Sequence, residues 1–225
     1  MERIIAPNIS DMVYDRLRER ILRYEFAPGH RLDLPELEQL LGVSRTPLKD
    51  ALTRLETEGL VDILPRRGTY VATIDARGLD EAYKVRSAFE LYVALCLFKY
   101  LTPADYAFFD ELREDMERLA CDARGWQTVI HDYLELDRQL HERFVERGGP
   151  RRMLALYQQV NVHMQVGRMV HHYRERDFDA VHFEHEQIFE ALASQSPDRL
   201  HAALLNHLES SRMRVHKNLS EMPDA

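Results

Sequence analysis

The sequence predicts a mostly α chain in two parts. Residues 1–74 read as a small helical unit closed by a β-hairpin. Residues 75–225 read as an antiparallel, all-helical bundle of about six helices. Three observations predict this. Apolar residues recur at three- and four-residue spacing through most of the chain, the mark of helices with one buried face. β-like segments occur at 60–64 and 69–72 and hardly anywhere else. The histidines also divide the chain: of 11, only His30 precedes residue 131.

Taken in order, Ser10 reads as the N-cap of a first helix carrying Met12, Val13, Tyr14, Leu17, Ile21 and Leu22. Ala27-Pro28-Gly29 turns the chain. Asp33 or Leu34 opens a second, short helix with Leu34, Leu37, Leu40 and Leu41 on its apolar face, and Gly42 stops it. Ser44 caps a third helix over 45–58 with Leu48, Ala51, Leu52 and Leu55 inward, and Gly59 ends it. Pro65-Arg66-Arg67-Gly68 joins the two strands, and Pro65 beside the turn suits a sheet edge. The bundle helices are expected at 77–100, 103–123, 126–147, 150–173, 177–195 and 197–218. Thr102-Pro103, Gly125, Gly148-Gly149-Pro150 and Ser196-Pro197 punctuate them. Connections this short favour antiparallel neighbours.

Composition narrows the function. The chain has 225 residues, 45% hydrophobic and 30% charged, as in a soluble globular protein. Its longest apolar runs, such as 91–98, fall well short of the ~20 residues that span a bilayer. The N-terminus carries no secretory pattern, so a cytoplasmic protein with no membrane role is expected. The two cysteines, Cys96 and Cys121, form no Cys-x-x-Cys pair, which excludes a disulfide scaffold and a zinc ribbon. They are expected as buried thiols within helices. A net charge of −8 excludes a uniformly basic nucleic-acid binder. Residues 1–74 hold 11 basic and 12 acidic side chains, so nearly all the excess negative charge lies beyond them. Any DNA contact must use a local basic patch in the first third.

Such a patch exists. Residues 34–52 have the form of a helix-turn-helix, with Gly42 permitting the turn and Val43 packing beneath it. The second helix of such a unit enters the major groove by its N-terminal end. There stand Arg45, Thr46 and Lys49, with Arg45 and Lys49 four apart on one face. Arginine can donate two hydrogen bonds to guanine, lysine can do so or hold a phosphate, and threonine offers a hydroxyl and a methyl. Ser44 and the free N–H groups beside it suit a phosphate. Arg66, Arg67 and Gly68 would form a wing that reaches a phosphate or the minor groove.

These residues carry a family resemblance. Gly42-Val43-Ser44-Arg45-Thr46-Pro47, then Ala51-Leu52, Leu55-Glu56 and Glu58-Gly59-Leu60-Val61, then Arg67-Gly68-Thr69-Tyr70-Val71 resemble the winged helix of GntR-family bacterial transcriptional regulators. The resemblance implies double-stranded operator DNA as partner, with Arg45, Thr46, Lys49, Arg67 and Gly68 as contacts. Lys49-Asp50 stands where the family often has Arg-Glu, and a lysine lacks the planar fork of arginine.

The bundle has its own constellation. Asp137 and His141 lie at i and i+4 on one helical face, a chelating geometry for a divalent ion. His185 and His207 sit on two later helices, and the four side chains could converge inside a bundle. One carboxylate and three imidazoles suit Zn, Ni, Co, Fe or Mn. His163, His171, His172, His182, His201 and His216 read as surface or helix-end residues.

Here too a resemblance enters. Asp137-x-x-x-His141, Glu184-His185-x-x-Ile188 and His207, 22 positions after His185, resemble the FCD ligand-binding domain of the FadR-like GntR branch. It implies a metal that helps hold a small carboxylate effector. The turn after the first ligand helix, usually Ser-Gly-Asn-like, is Arg147-Gly148-Gly149-Pro150 here. Tyr83-Lys84-Val85-Arg86-Ser87-Ala88-Phe89-Glu90 resembles the helix whose inward arginine meets the effector. That implies this role for Arg86, whose other reading is an ion pair with Glu90 on a solvated face. Arg168 is a second effector candidate, and Tyr133 and Asn161 are possible cavity residues.

The expected function is a ligand-responsive repressor, dimeric on a pseudo-palindromic operator. Two alternatives stand beside it. One is a regulator that senses the metal itself. The other is a metallohydrolase, which lacks any His-Glu-x-x-His or nucleophile motif here.

Overall fold

The computed structural model describes residues 8–23, 25–73, 76–170 and 175–220, with side chains left undescribed at 76, 161–170, 175–176 and 218–220. The chain divides into two compact units, Met1–Ile74 and Asp75–Ala225.

The first unit runs α1 (Ile9–Leu22), β1 (Arg31–Leu32), α2 (Leu34–Leu41), α3 (Arg45–Thr57), β2 (Val61–Leu64) and β3 (Gly68–Val71). Leu17, Leu48, Leu52, Leu55 and Leu60 are sealed at its centre. Asn8, rather than Ser10, caps α1, because its side-chain oxygen accepts from the Ser10 N–H. Asp33 caps α2 by accepting from the Glu36 N–H, and Gly42 ends it in a left-handed conformation, φ 64°. The sheet has three strands in the order β1-β3-β2, all antiparallel. The two-residue strand β1 is too short to leave a periodic signal, so the sequence shows only the hairpin. β2 is an edge strand, and Pro65 follows it.

The second unit runs α4 (Ala76–Ala94), a 3₁₀ turn (Leu97–Lys99), α5 (Pro103–Ala120), α6 (Trp126–Gly148), α7 (Arg151–Val170), α8 (Glu175–Ala193) and α9 (Pro197–Ser220). α4 stops six residues sooner than its apolar pattern suggests, where Cys96 N–H turns back to the Val93 carbonyl. The core joins Val93, Phe109, Met116, Phe144, Tyr157, Ile188, Leu200 and Leu204. Gly148 ends α6 against α4: a Cβ there would meet Val93 Cβ at 2.8 Å, so glycine is needed for the approach. The thiols are not buried in helices as expected. Cys96 follows α4 half-buried, and Cys121 is exposed beyond the end of α5. Among the described residues, no helix is long and apolar enough to cross a membrane.

Candidate metal centre and nucleic-acid surface

In the first unit the α3 N-terminus and the hairpin are open to solvent. Ser44, Arg45, Thr46 and Lys49 are exposed. Ser44 occupies the N-cap position but makes no side-chain cap bond. Pro47, third in α3, has no N–H and so removes one of the two partners such a cap can use, leaving only the Thr46 N–H. Arg45 has a loose ion pair with Glu38 at 3.9 Å.

Arg66 and Arg67 are exposed at the hairpin tip. The turn carries proline second and a positive φ third, with the Arg67 N–H bonded to the Leu64 carbonyl at 3.0 Å, the pattern of a type II turn. That third position normally holds glycine or asparagine. Here Arg66 takes it at φ 63°, a conformation that costs an L-residue ~1–2 kcal/mol. Gly68 follows at φ 125°, and a Cβ there would crowd the Arg31 guanidinium at 3.2 Å.

In the bundle, Asp137 and His141 from α6, His185 from α8 and His207 from α9 meet, each at most 2% exposed. Their donor atoms lie within 4.8 Å of one another. Three Nε2 atoms face one oxygen: Asp137 Oδ1 is 2.9 Å from His185, 3.6 Å from His141 and 3.9 Å from His207. The last two separations are too long for hydrogen bonds. His141 Nε2 and His207 Nε2 are buried without a hydrogen-bond partner.

The other nitrogen of each ring is held. His141 Nδ1 lies 2.6 Å from Glu90 Oε2, and His207 Nδ1 lies 3.1 Å from Glu184 Oε2. His185 Nδ1 lies 3.2 Å from the Tyr133 hydroxyl. Glu90 also accepts from Arg86 Nε at 2.5 Å and the Tyr157 hydroxyl at 2.6 Å. Glu184 accepts from both Nη atoms of Arg214, at 2.6 and 2.7 Å.

Electrostatics fixes the protonation. Burial raises the Glu90 carboxyl, but Arg86, His141 and Tyr157 outweigh it and hold it at about 2. Glu184 is likewise held at about 2, burial being overcome by Arg214 and His207. Burial, then His185, pushes His207 down to about 3, so its ring is neutral. A neutral ring bonded to a carboxylate through Nδ1 must carry its proton there. Its Nε2 lone pair then points at Asp137. Two orphaned nitrogens, a third beside them and a carboxylate oxygen fit a cation. Donors bound at ~2.0–2.2 Å to one ion stand about 3–3.5 Å apart, which these separations bracket.

Arg86 is buried, not on a solvated face. Its Nη2 lies 4.0 Å from Asp137 Oδ2, the oxygen opposite the one the imidazoles face. Tyr133 is buried against His185. The side chains of Arg168 and Asn161, and with them His163, lie outside the described residues, as do His171 and His172. His182, expected at the surface, is half-buried and bonded to Tyr133. Glu90, Tyr157, Glu184 and Arg214 escaped the sequence reading as supports. The available signal was the i,i+4 spacing of Arg86 and Glu90 and the adjacency of Glu184 to His185.

The chain matches two family models: bacterial regulatory proteins of the gntR family over residues 9–71, and the FCD domain over residues 81–210. It is 27% identical over 223 residues to the HTH-type transcriptional repressor RspR of Escherichia coli K12, covering 96% of this chain and 92% of that one. It is 28% identical over 189 residues to the Nta operon transcriptional regulator of Aminobacter aminovorans, covering 83% and 84%. Its fold is similar to E. coli McbR/YncC, with a TM-score of 0.78 at 19% identity over 95% of this chain and 99% of that one. A putative GntR regulator from Rhodococcus sp. RHA1 gives 0.80 at 21%, with the same coverage.

Proposed function

The chain belongs to the GntR family of bacterial regulatory proteins and carries its FCD domain, and from that premise we propose a metal-dependent repressor that releases its operator in response to a small carboxylate. It is a transcriptional regulator, not an enzyme. The observation that carries the finer reading is the convergence of three imidazole Nε2 atoms on Asp137 Oδ1.

Asp137, His141, His185 and His207 would hold a divalent cation, Zn or Ni being well suited to this donor set. The cation supplies a Lewis-acidic point to which an organic acid can add an oxygen. Glu90, Glu184 and Tyr133 orient the rings. Arg86, fixed by Glu90 and with its Nη2 4.0 Å from Asp137 Oδ2, would offer positive charge to the effector carboxylate.

At the other end of the chain, Arg45, Thr46 and Lys49 would meet base edges, and Ser44, Arg66, Arg67 and Gly68 phosphates or the minor groove. The Arg66 backbone strain fits a turn shaped to project that side chain. The similarity to a named repressor supports the sign of regulation. A homodimer is supported by Val85 and Tyr92, large apolar residues exposed seven positions apart on one face of α4. A second copy would cover these side chains, and a two-fold protein suits a pseudo-palindrome. The effector must bind the DNA-competent and DNA-released states differently, or it switches nothing.

Metal analysis of purified protein tests the centre. His207→Ala is expected to lose the buried ion and the carboxylate response while retaining its fold. Unchanged metal content in that variant would refute the ligand set.

A further inference from the structure

A second group of donors lies outside the buried centre. His182 and Glu186 stand at i and i+4 on α8 and face Glu117 of α5. One donor atom from each falls within 4.8 Å of the others. His182 Nε2 is 2.8 Å from Glu117 Oε2. Its Nδ1 is 3.1 Å from the Tyr133 hydroxyl, the same oxygen that holds His185 Nδ1 at 3.2 Å. Tyr133 is thus outside the group and aims the ring: with Nδ1 on the phenol, Nε2 must face the two carboxylates. An imidazole held from behind in this way is how metal-ligating histidines are oriented.

We propose that Glu117, His182 and Glu186 form a second, solvent-accessible site for a borderline divalent cation such as Zn(II) or Co(II), coupled to the buried centre through Tyr133. The coupling rests on the buried-centre reading; the surface site does not. One imidazole nitrogen and two carboxylate oxygens suit these ions, and the exposed rim leaves positions for water. Glu117 lends one oxygen to the Cys121 thiol and turns the other to His182.

Glu186 already has a cation. Arg113 donates to it through Nε at 3.0 Å and through Nη2. The arginine side chain is 45% exposed, so it can leave for solvent when a divalent ion takes the carboxylate. The site therefore exchanges a guanidinium for a metal, and Arg113 is a competitor rather than a support. Tyr133 is compatible with both sites loaded. Its oxygen has two lone pairs, one for each Nδ1–H.

Full-length protein stripped by a chelator and titrated with Zn(II), with free ion read by a chromogenic chelator, tests this. Wild type is expected to bind two equivalents per chain. Glu117→Gln/Glu186→Gln should bind one, and His207→Ala should keep the one that the first variant loses. Arg113→Ala should tighten the surface site by up to about fivefold, the worth of an exposed ion pair removed from the competition. Tyr133→Phe should weaken both sites by about 10–100-fold. One equivalent in wild type that Glu117→Gln/Glu186→Gln retains would overturn the surface site and leave the buried centre standing. One equivalent lost in Glu117→Gln/Glu186→Gln but kept in His207→Ala would instead overturn the buried-centre reading. Two equivalents unchanged in Glu117→Gln/Glu186→Gln would place the second ion elsewhere and overturn the proposal.

Discussion

Arg45, Lys49, Arg66 and Arg67 of the first unit end in solvent, whereas Arg86, Glu90, Asp137 and Glu184 of the second are sealed from it. The difference is energetic. An exposed charge costs the fold almost nothing and is available to a polyanion. A buried charge loses its hydration and persists only with partners. Glu90 accordingly takes three donors and Glu184 three, whereas Arg45 has one loose contact at 3.9 Å. On the proposed reading the first unit is contacted from outside, whereas the second holds a preorganised centre whose buried charges carry part of its stability.

Acid should expose that contrast most strongly. In metal-free protein the folded His207 ring stays neutral down to about 3, whereas in the unfolded chain it takes a proton below its ordinary 6.5. Its contribution is therefore present above 6.5 and lost as the pH falls toward 3. Glu90 and Glu184, held at about 2 against an ordinary 4.5, contribute above 4.5 and lose that contribution as the pH falls toward 2. All three act in the same direction, so the urea midpoint of the bundle should fall from about pH 6.5 downward. A midpoint that stays level between pH 7 and pH 4 would break the comparison.

Arginine removal comes next. Arg86→Ala leaves Glu90 buried without its main counter-charge and should cost about 3–5 kcal/mol in denaturant unfolding. Arg45→Ala should stay within about 0.5 kcal/mol of wild type while losing about 1–3 kcal/mol of duplex affinity. Equal stability losses in the two variants would contradict the division. Smaller still is the effect of a support. Glu184→Gln keeps the shape but weakens the grip on His207 Nδ1, and metal affinity should drop about 10–100-fold with effector-free duplex binding unchanged. An unaltered metal affinity would show that Glu184 merely neutralises Arg214.

The two units were also unequally legible. The helix-turn-helix and hairpin are local: Gly42, Ser44, Pro65 and Gly68 announce turns and caps within a few residues of the side chains they position. Ser10 misled because Asn8, two residues earlier, offers the same capping chemistry. β1 was missed because two residues carry no period. In the bundle, Asp137 and His141 share one helix and their spacing is visible, while His185 and His207 needed a family resemblance to join them. The supports were hidden for a physical reason. Glu90 reaches His141 across 51 positions and Tyr157 reaches Glu90 across 67, and no spacing rule spans such separations. Arg86 with Glu90 has the same pattern on a wet surface as in a core. Only the packing of α4 against α6, α7 and α9 decides between them.

The most direct test of the central claim is selection of duplexes from a random library by the metallated protein, followed by titration of the selected duplex complex with small carboxylates. The account predicts a short pseudo-palindrome whose affinity for the protein falls when a carboxylate is added. No enrichment from folded, metallated protein, or an enriched duplex whose binding no carboxylate alters, would contradict it.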